Sequence, residues 1–340
     1  MFYHIIKWGE LMKKVLILFG GPSHEHLISC KSAKGILENI DYKRYNVKIC
    51  GISKNNVWYE FNDTLELLEN GNWLNSKNNA YVENIIDYLR SFDIVFPIIH
   101  GALGEDGKIE ALLEMFDIKY VGSSSLAHAC GMDKYLTKII CNSNDIKQVD
   151  FILLNKNDKK KFKYYEEKIG YPMIIKPTSN GSSIGISIAN NKKELEKAIK
   201  YAFKYDKKIL IEKFIRAKEL ECGIIKDKKI IASSIGEIVP SNVFYDYNAK
   251  YEKESKTIIP ADIDEKLKEK IQKEAILIFE ILGCKDYARV DFLYDEKNDI
   301  LYFNEINTIP GFTKISMFTK LFDYDGINYK NLISKLIDDC

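Results

Sequence analysis

Arg289-Val290-Asp291-Phe292-Leu293, followed by Asn304-Glu305-Ile306-Asn307-Thr308-Ile309-Pro310-Gly311-Phe312-Thr313, is the stretch on which the reading of this chain turns. Arg289 and Asp291 lie two apart on an apolar run, so on a strand both side chains point to one face. Glu305 and Asn307 repeat that spacing on the next run, 300–306. Two adjacent strands then present one cation and three oxygen donors to a single spot. Asp, Glu and Asn oxygens are the hard ligands that Mg²⁺ prefers and that hold it against nucleotide phosphates. Any one such residue is ordinarily part of a solvated strand face. The four together, running into a Pro-Gly turn, point to a site.

The rest of the chain sets bounds. At 340 residues it exceeds the size at which single cores stop growing, so two or three domains are expected. Its 50 basic and 49 acidic residues leave a net charge of +1, which gives no broad drive toward nucleic acid or an anionic membrane. Seven cysteines are scattered without a Cys-x-x-Cys pair, so neither a zinc knuckle nor a disulfide framework is indicated, and a reducing cytoplasm fits. No apolar run is long enough for a transmembrane helix. Residues 1–11 carry the apolar Phe2, Tyr3, Ile5, Ile6 and Trp8 without a signal-peptide pattern, and Met12-Lys13-Lys14 directly precedes the first convincing strand. An extension at 1–11, outside the core, is expected.

Residues 15–19 form a continuous apolar run ending in Gly20-Gly21, which reads as a buried parallel strand and its turn. A helix at 29–37 and strands at 47–52 and 93–99 make an α/β unit, 12–124. The loops at 20–25 and 100–107 fall at carboxyl ends of strands, where such units keep their sites. A middle section, 125–215, is expected to hold helices at 133–141 and 193–203 and strands at 173–176, 184–189 and 208–212. The last, 216–340, is read as strands 220–225 and 229–238, a polar loop 241–256, a long amphipathic helix carrying Leu267, Ile271, Ala275, Ile278 and Leu282, the two metal-bearing strands, and a helix 329–337.

Gly181-Ser182-Ser183-Ile184-Gly185, between two strands, can turn tightly and expose amides and hydroxyls to phosphate, although a plain hairpin turn has the same composition. It is neither a Walker loop nor a dinucleotide fingerprint. Lys176 closes the preceding strand and Lys134 opens a helix, so two point charges could meet a polyphosphate. Glu212-Lys213-Phe214-Ile215 reads as a strand entering a linker, where backbone amides can meet an adenine edge and apolar side chains cover its face. Glu219 could accept from ribose hydroxyls, though strand ends rich in Lys and Glu are usually just solvated.

Taken in order, these residues resemble the ATP-grasp ligases, and more closely the D-alanine–D-alanine ligase family. Further matches are Gly20-Gly21 with Ser23 and Glu25, His100-Gly101 with Gly104-Glu105-Asp106-Gly107, Met132-Asp133-Lys134, and Phe244-Tyr245-Asp246-Tyr247 with Lys250-Tyr251. The resemblance runs from about Lys13 to the C-terminus. It implies a three-domain α/β (α+β) fold, with a Rossmann-like N-terminal domain and two α+β domains sandwiching ATP.

By resemblance, Lys134, Lys176 and Lys250 hold phosphates together with Ser182 and Ser183. The 212–215 segment holds adenine and Glu219 the ribose, and Phe244 is a further ATP-binding residue. Asp291, Glu305 and Asn307 hold two Mg²⁺, with Mn²⁺ able to replace it. Glu25, His100 and Arg289 bind the first D-alanine. Arg289 and the Gly311 amide stabilise the oxyanion, and Ser316 and Met317 accept the second substrate's carboxylate. Glu25, Ser182 and Tyr251 tie a mobile loop over the site. A cytoplasmic homodimer acting in peptidoglycan synthesis is implied as well.

Two positions depart from the pattern. Leu27 stands where many relatives carry a second acid, and Phe318-Thr319-Lys320 replaces the usual aromatic-proline pair. Met317 offers no charge to read a hydroxyl-bearing second substrate, which favours D-alanine over D-serine or D-lactate. A D-alanine–D-serine ligase, a catalytically dead nucleotide-binding protein and a ligase for another carboxylate are the alternatives. Retention of Arg289 and all three oxygen ligands argues against the dead form, and Glu25 with the His100 loop against the other ligase.

Overall fold

The computed structural model describes residues 12–239 and 256–340. The first sheet comprises β1 (Lys13–Gly20), β2 (Tyr45–Ile52), β3 (Trp58–Glu60), β4 (Ala80–Tyr81) and β5 (Ile94–Pro97), in the order β4-β3-β2-β1-β5. β1 runs parallel to β2 and β5, while β3 and β4 add antiparallel pairs at one edge. Parallel strands need helical crossovers that cover their faces. Here Val15 to Phe19 are fully buried, and helix His26–Asn39 is the first crossover. A Cβ at Gly20 would collide with the Ile52 carbonyl, and Gly20 also takes φ +96°, so glycine is required at this turn.

The second sheet is antiparallel: β6 (Phe151–Asn155), β7 (Met173–Pro177), β8 (Ser187–Ala189) and β9 (Lys208–Lys213), in the order β6-β9-β7-β8. It packs Met173, Ile175, Ile209 and Ile211 on helix Lys192–Ala202 through Leu195 and Ile199. The third, also antiparallel, holds β10 (Lys218–Asp227), β11 (Lys229–Val239), β12 (Lys256–Ile258), β13 (Tyr287–Asp295) and β14 (Ile300–Asn307), ordered β12-β11-β10-β13-β14. Helix Glu265–Ile281 buries Leu267, Ile271, Ala275 and Ile278 against it, the stripe expected from the spacing.

Two long-range packings tie the sheets together. Helices Ser125–Met132 and Lys134–Asn142 share the core of the third sheet through Ala127 and Cys141, before the chain enters β6. Helices Met317–Tyr324 and Tyr329–Asp338 return to the first sheet. There Phe312, Phe318, Leu332 and Ile337 pack in one core with Val15, Ile17 and Phe19.

Some expected elements differ. The strand expected at 184–189 begins only at Ser187, because Ser182, Ser183 and Gly185 adopt positive φ and hold the chain in a turn. The strand expected at 93–99 is regular only over Ile94–Pro97. Lys256, read as loop, opens β12. Residues 1–11 and the rest of the 241–256 loop, with Phe244, Lys250 and Tyr251, lie outside the described residues.

Candidate active site

The register of the third sheet builds the site. Arg289 pairs with Asn307 and Asp291 with Glu305 across β13 and β14, so the four side chains of the opening motif share one face. On the other side of β13, Glu221 of β10 stands opposite Asp291. A carboxylate row, Glu221–Asp291–Glu305, therefore crosses three strands. Arg289 grips Asp291 with two bonds, Nε to Oδ1 and Nη2 to Oδ2, both 2.7 Å. Its Nε is also 3.0 Å from Glu221 Oε2. Asn307 Nδ2 donates to Asp291 Oδ2 at 2.9 Å. Burial disfavours the guanidinium charge, but Asp291 and Glu221 outweigh it and raise the pKa of Arg289. The Arg289 side chain keeps 12% of its surface exposed.

Among the described residues no three His, Cys, Asp or Glu side chains form a preformed metal centre. Asp291, Glu305 and Asn307 supply two carboxylates and an amide oxygen, a hard donor set that phosphate oxygens complete, so the residues fit Mg²⁺ bound together with a nucleotide.

A cleft of about 450 Å³ lies between the second and third sheets. Lys134, Lys176, Ser183, Glu219, Asp291 and Glu305 line it, as does the whole linker 212–215. Ile174, Ile186, Ile188 and Leu293 give it apolar walls. Lys134 is the first residue of its helix, which Asp133 caps by accepting from the Tyr135 and Leu136 amides. Its ammonium donates to the Asn180 carbonyl at 3.0 Å and lies 3.3 Å from Glu305 Oε2, bridging the Gly-rich loop and the metal-bearing strand.

The linker behaves less simply than its sequence suggests. The Lys213 and Phe214 amides donate to the Asp150 and Pro172 carbonyls. The Glu212 side chain is buried between two lysines, Lys176 at 2.7 Å and Lys138 at 3.2 Å. Burial pushes the Glu212 carboxyl up, and the two ammonium groups more than offset it, holding its pKa below the usual value. Lys138 and Glu221 were not foreseen. Their signals are the i,i+4 spacing of Lys138 from Lys134 on one helix face, and the i,i+2 spacing of Glu221 from Glu219 on one strand face.

At the other end of the site, Glu25 precedes helix His26–Asn39 and accepts from the Ser182 hydroxyl. A Cβ on Gly181 would stand 2.8 Å from Glu25 Oε2, so glycine there lets the loop come this close. The turn after Asn307 is pinned by side chains from the first half of the chain. His100 must carry its proton on Nδ1, because that atom faces the Ile309 carbonyl at 3.0 Å; its Nε2 then accepts from Ser32 at 2.8 Å. Ser32 in turn accepts from the Phe312 amide at 3.2 Å. His128, whose pKa burial lowers to about 4, bonds Thr308 Oγ1 at 2.7 Å. Both nitrogens of His100 are therefore bonded within the protein, one to Ile309 and one to Ser32.

A Cβ on Gly311 would meet Ser316 Oγ at 2.7 Å, so Gly311 and Ser316 are in contact. Ser316 Oγ accepts from the Thr313 amide at 3.1 Å. The Met317 side chain packs with Ile238 and Leu321.

Two family profiles match the chain: "D-ala D-ala ligase N-terminus" over residues 14–123 and "D-ala D-ala ligase C-terminus" over residues 140–338. The D-alanine–D-alanine ligase of Clostridium novyi is 41% identical, the alignment covering 96% of this chain and 98% of that one. Among solved structures, the VanG D-Ala:D-Ser ligase from Enterococcus faecalis has a TM-score of 0.86 at 32% identity, covering 96% of this chain and 99% of that one. The D-alanine–D-alanine ligase from Bacillus anthracis complexed with ATP has a TM-score of 0.74 at 27% identity, covering 96% of each.

Proposed function

This chain belongs to the D-alanine–D-alanine ligase family and is an ATP-dependent ligase with the ATP-grasp fold, and from that premise we propose how its residues join two D-alanine molecules. The observation that carries the proposal is the pairing of Arg289-x-Asp291 with Glu305-x-Asn307 at the edge of the nucleotide-sized cleft.

ATP lies in the cleft, its adenine edge on the Ile215 amide, its ribose at Glu219 and its phosphates at Lys134, Lys176 and the Ser182-Ser183 turn. Phe244 and Lys250 complete this set from outside the described residues. Asp291, Glu305 and Asn307 would hold two Mg²⁺, whose positive charge would offset the repulsion between an incoming carboxylate and the γ-phosphate; at 4 Å and an effective dielectric of 20 that is about 4 kcal/mol for unit charges. The first D-alanine sets its ammonium at Glu25. One of its carboxylate oxygens attacks the γ-phosphorus and ADP leaves, giving D-alanyl phosphate. The amine of the second D-alanine then attacks the acyl carbon, phosphate departs, and the amine loses a proton. Arg289 and the Gly311 amide stabilise the oxyanion of that step. Ser316 and the Met317 amide take the second carboxylate. Contact of Glu25 with Ser182 keeps water from the acyl phosphate; Tyr251, read as the third member of this set, lies outside the described residues.

This reading divides the chain at 12–124, 125–215 and 216–340, and sets the enzyme as a cytoplasmic homodimer in peptidoglycan synthesis. All seven cysteines are free, which fits a reducing compartment, and no described helix is long and apolar enough to cross a membrane. D-Alanine is the preferred second substrate, because the inward-packed Met317 brings no polar group to the site. D-Serine differs only by a hydroxyl, a small discrimination problem. With D-alanine, D-serine and D-lactate in competition, D-alanyl-D-alanine is the expected major product; a majority of D-alanyl-D-serine would overturn the choice.

A further inference from the structure

Lys138 lies outside the cleft lining, yet it is buried more deeply than either lysine within it. Its side chain is 1% exposed, against 5% for Lys176 and 10% for Lys134. It sits one turn along the helix from Lys134, with its ammonium 3.2 Å from Glu212 Oε1, while Lys176 takes Oε2 at 2.7 Å. The Phe151 ring, its centre 5.2 Å away, covers another side of the ammonium. Two buried cations thus share one buried carboxylate, and two lysines less one glutamate leave a formal charge of +1 at the cleft floor.

Charge at such depth is poorly screened. A Lys176–Glu212 pair alone would be neutral and would offer a polyphosphate little net attraction. Burial lowers the Lys138 pKa and the Glu212 carboxylate works against that. Resting on the reading of the cleft as the nucleotide site, we propose that Lys138 is a positioning residue for ATP. By holding one oxygen of Glu212, it keeps that carboxylate from neutralising Lys176, whose charge is left to the phosphates.

Steady-state kinetics of the full chain test this. K138M is expected to raise KM for ATP about ten-fold, with kcat and KM for D-alanine changed less than about two-fold. K138R should stay near wild type. In the double variant K138M/E212Q a neutral amide replaces the carboxylate and no longer draws on Lys176. Most of the lost ATP affinity then returns, a non-additive rescue that a merely structural ion pair does not give. An unchanged KM for ATP in K138M, or a double variant worse than K138M, overturns the proposal. Should K138M not fold, the double variant decides alone: a KM for ATP within about three-fold of wild type supports the proposal, and a ten-fold loss sinks it. A wild-type chain with no D-alanine-dependent ADP formation counts instead against the ligase reading itself.

Discussion

Arg289→Met is expected to lower kcat about 10³-fold, because it removes the cation read as holding the first D-alanine while its carboxylate attacks the γ-phosphate and as stabilising the oxyanion of the second step. It also leaves two carboxylates, Asp291 and Glu221, near one another with no guanidinium between them. Breaking a buried pair by removing one partner costs about 3–5 kcal/mol, so the melting temperature falls as well. Arg289→Lys restores the charge but cannot reproduce the two-bond fork to Asp291. It should recover much of the stability and little of the rate. Single-turnover ADP formation and a thermal melt on both variants separate the two effects. A Met variant with kcat within ten-fold of wild type would remove Arg289 from the chemistry.

Glu25→Gln has the next largest expected effect. Glu25 is read as the partner of the first D-alanine's ammonium, and it also accepts from Ser182 in the Gly-rich loop. Losing a charged hydrogen-bond partner in a closed site costs about 2–3 kcal/mol, so KM for the first D-alanine should rise about 100-fold. Ser182→Ala loses the tie between loop and helix together with one hydroxyl of the phosphate-binding turn, and leaves the carboxylate for the ammonium in place. Its expected signature is different: a lower kcat and a larger share of ADP released without dipeptide, as water reaches the acyl phosphate. If the two variants behave alike, with KM for D-alanine unmoved, Glu25 serves loop closure alone.

Much of the site was legible in the sequence, because the information there is local. Arg289, Asp291, Glu305 and Asn307 are set by period-two spacing on long strands, and the register delivers them to one face. The stripe of helix Glu265–Ile281 was legible for the same reason at period 3.6. What the sequence hid depends on packing between distant segments. Lys138 gains its partner only because helix Lys134–Asn142 packs near β9, and Glu221 only because β10 lies beside β13. Glu212 reads as part of an adenine-binding linker, and the residue does line the cleft, but nothing local announces two buried lysines at its side chain. His100 is read as a substrate contact, but nothing local to it announces the bonds its ring makes to Ser32 and to Ile309, the latter far along the chain. Short elements such as β3, β4 and β12 carry too few residues for any periodicity to emerge.

The most direct test of the central claim is simultaneous measurement of ADP and D-alanyl-D-alanine from the full chain and its Asp291→Ala variant, with ATP, D-alanine and titrated Mg²⁺. Wild type should release the two products in equal amounts, dependent on both D-alanine and Mg²⁺. The variant should fall about 10³-fold or more at every Mg²⁺ concentration. A variant that matches wild type, or a wild type that forms ADP without D-alanine, would contradict the assignment of these strands as the site where a carboxylate is activated.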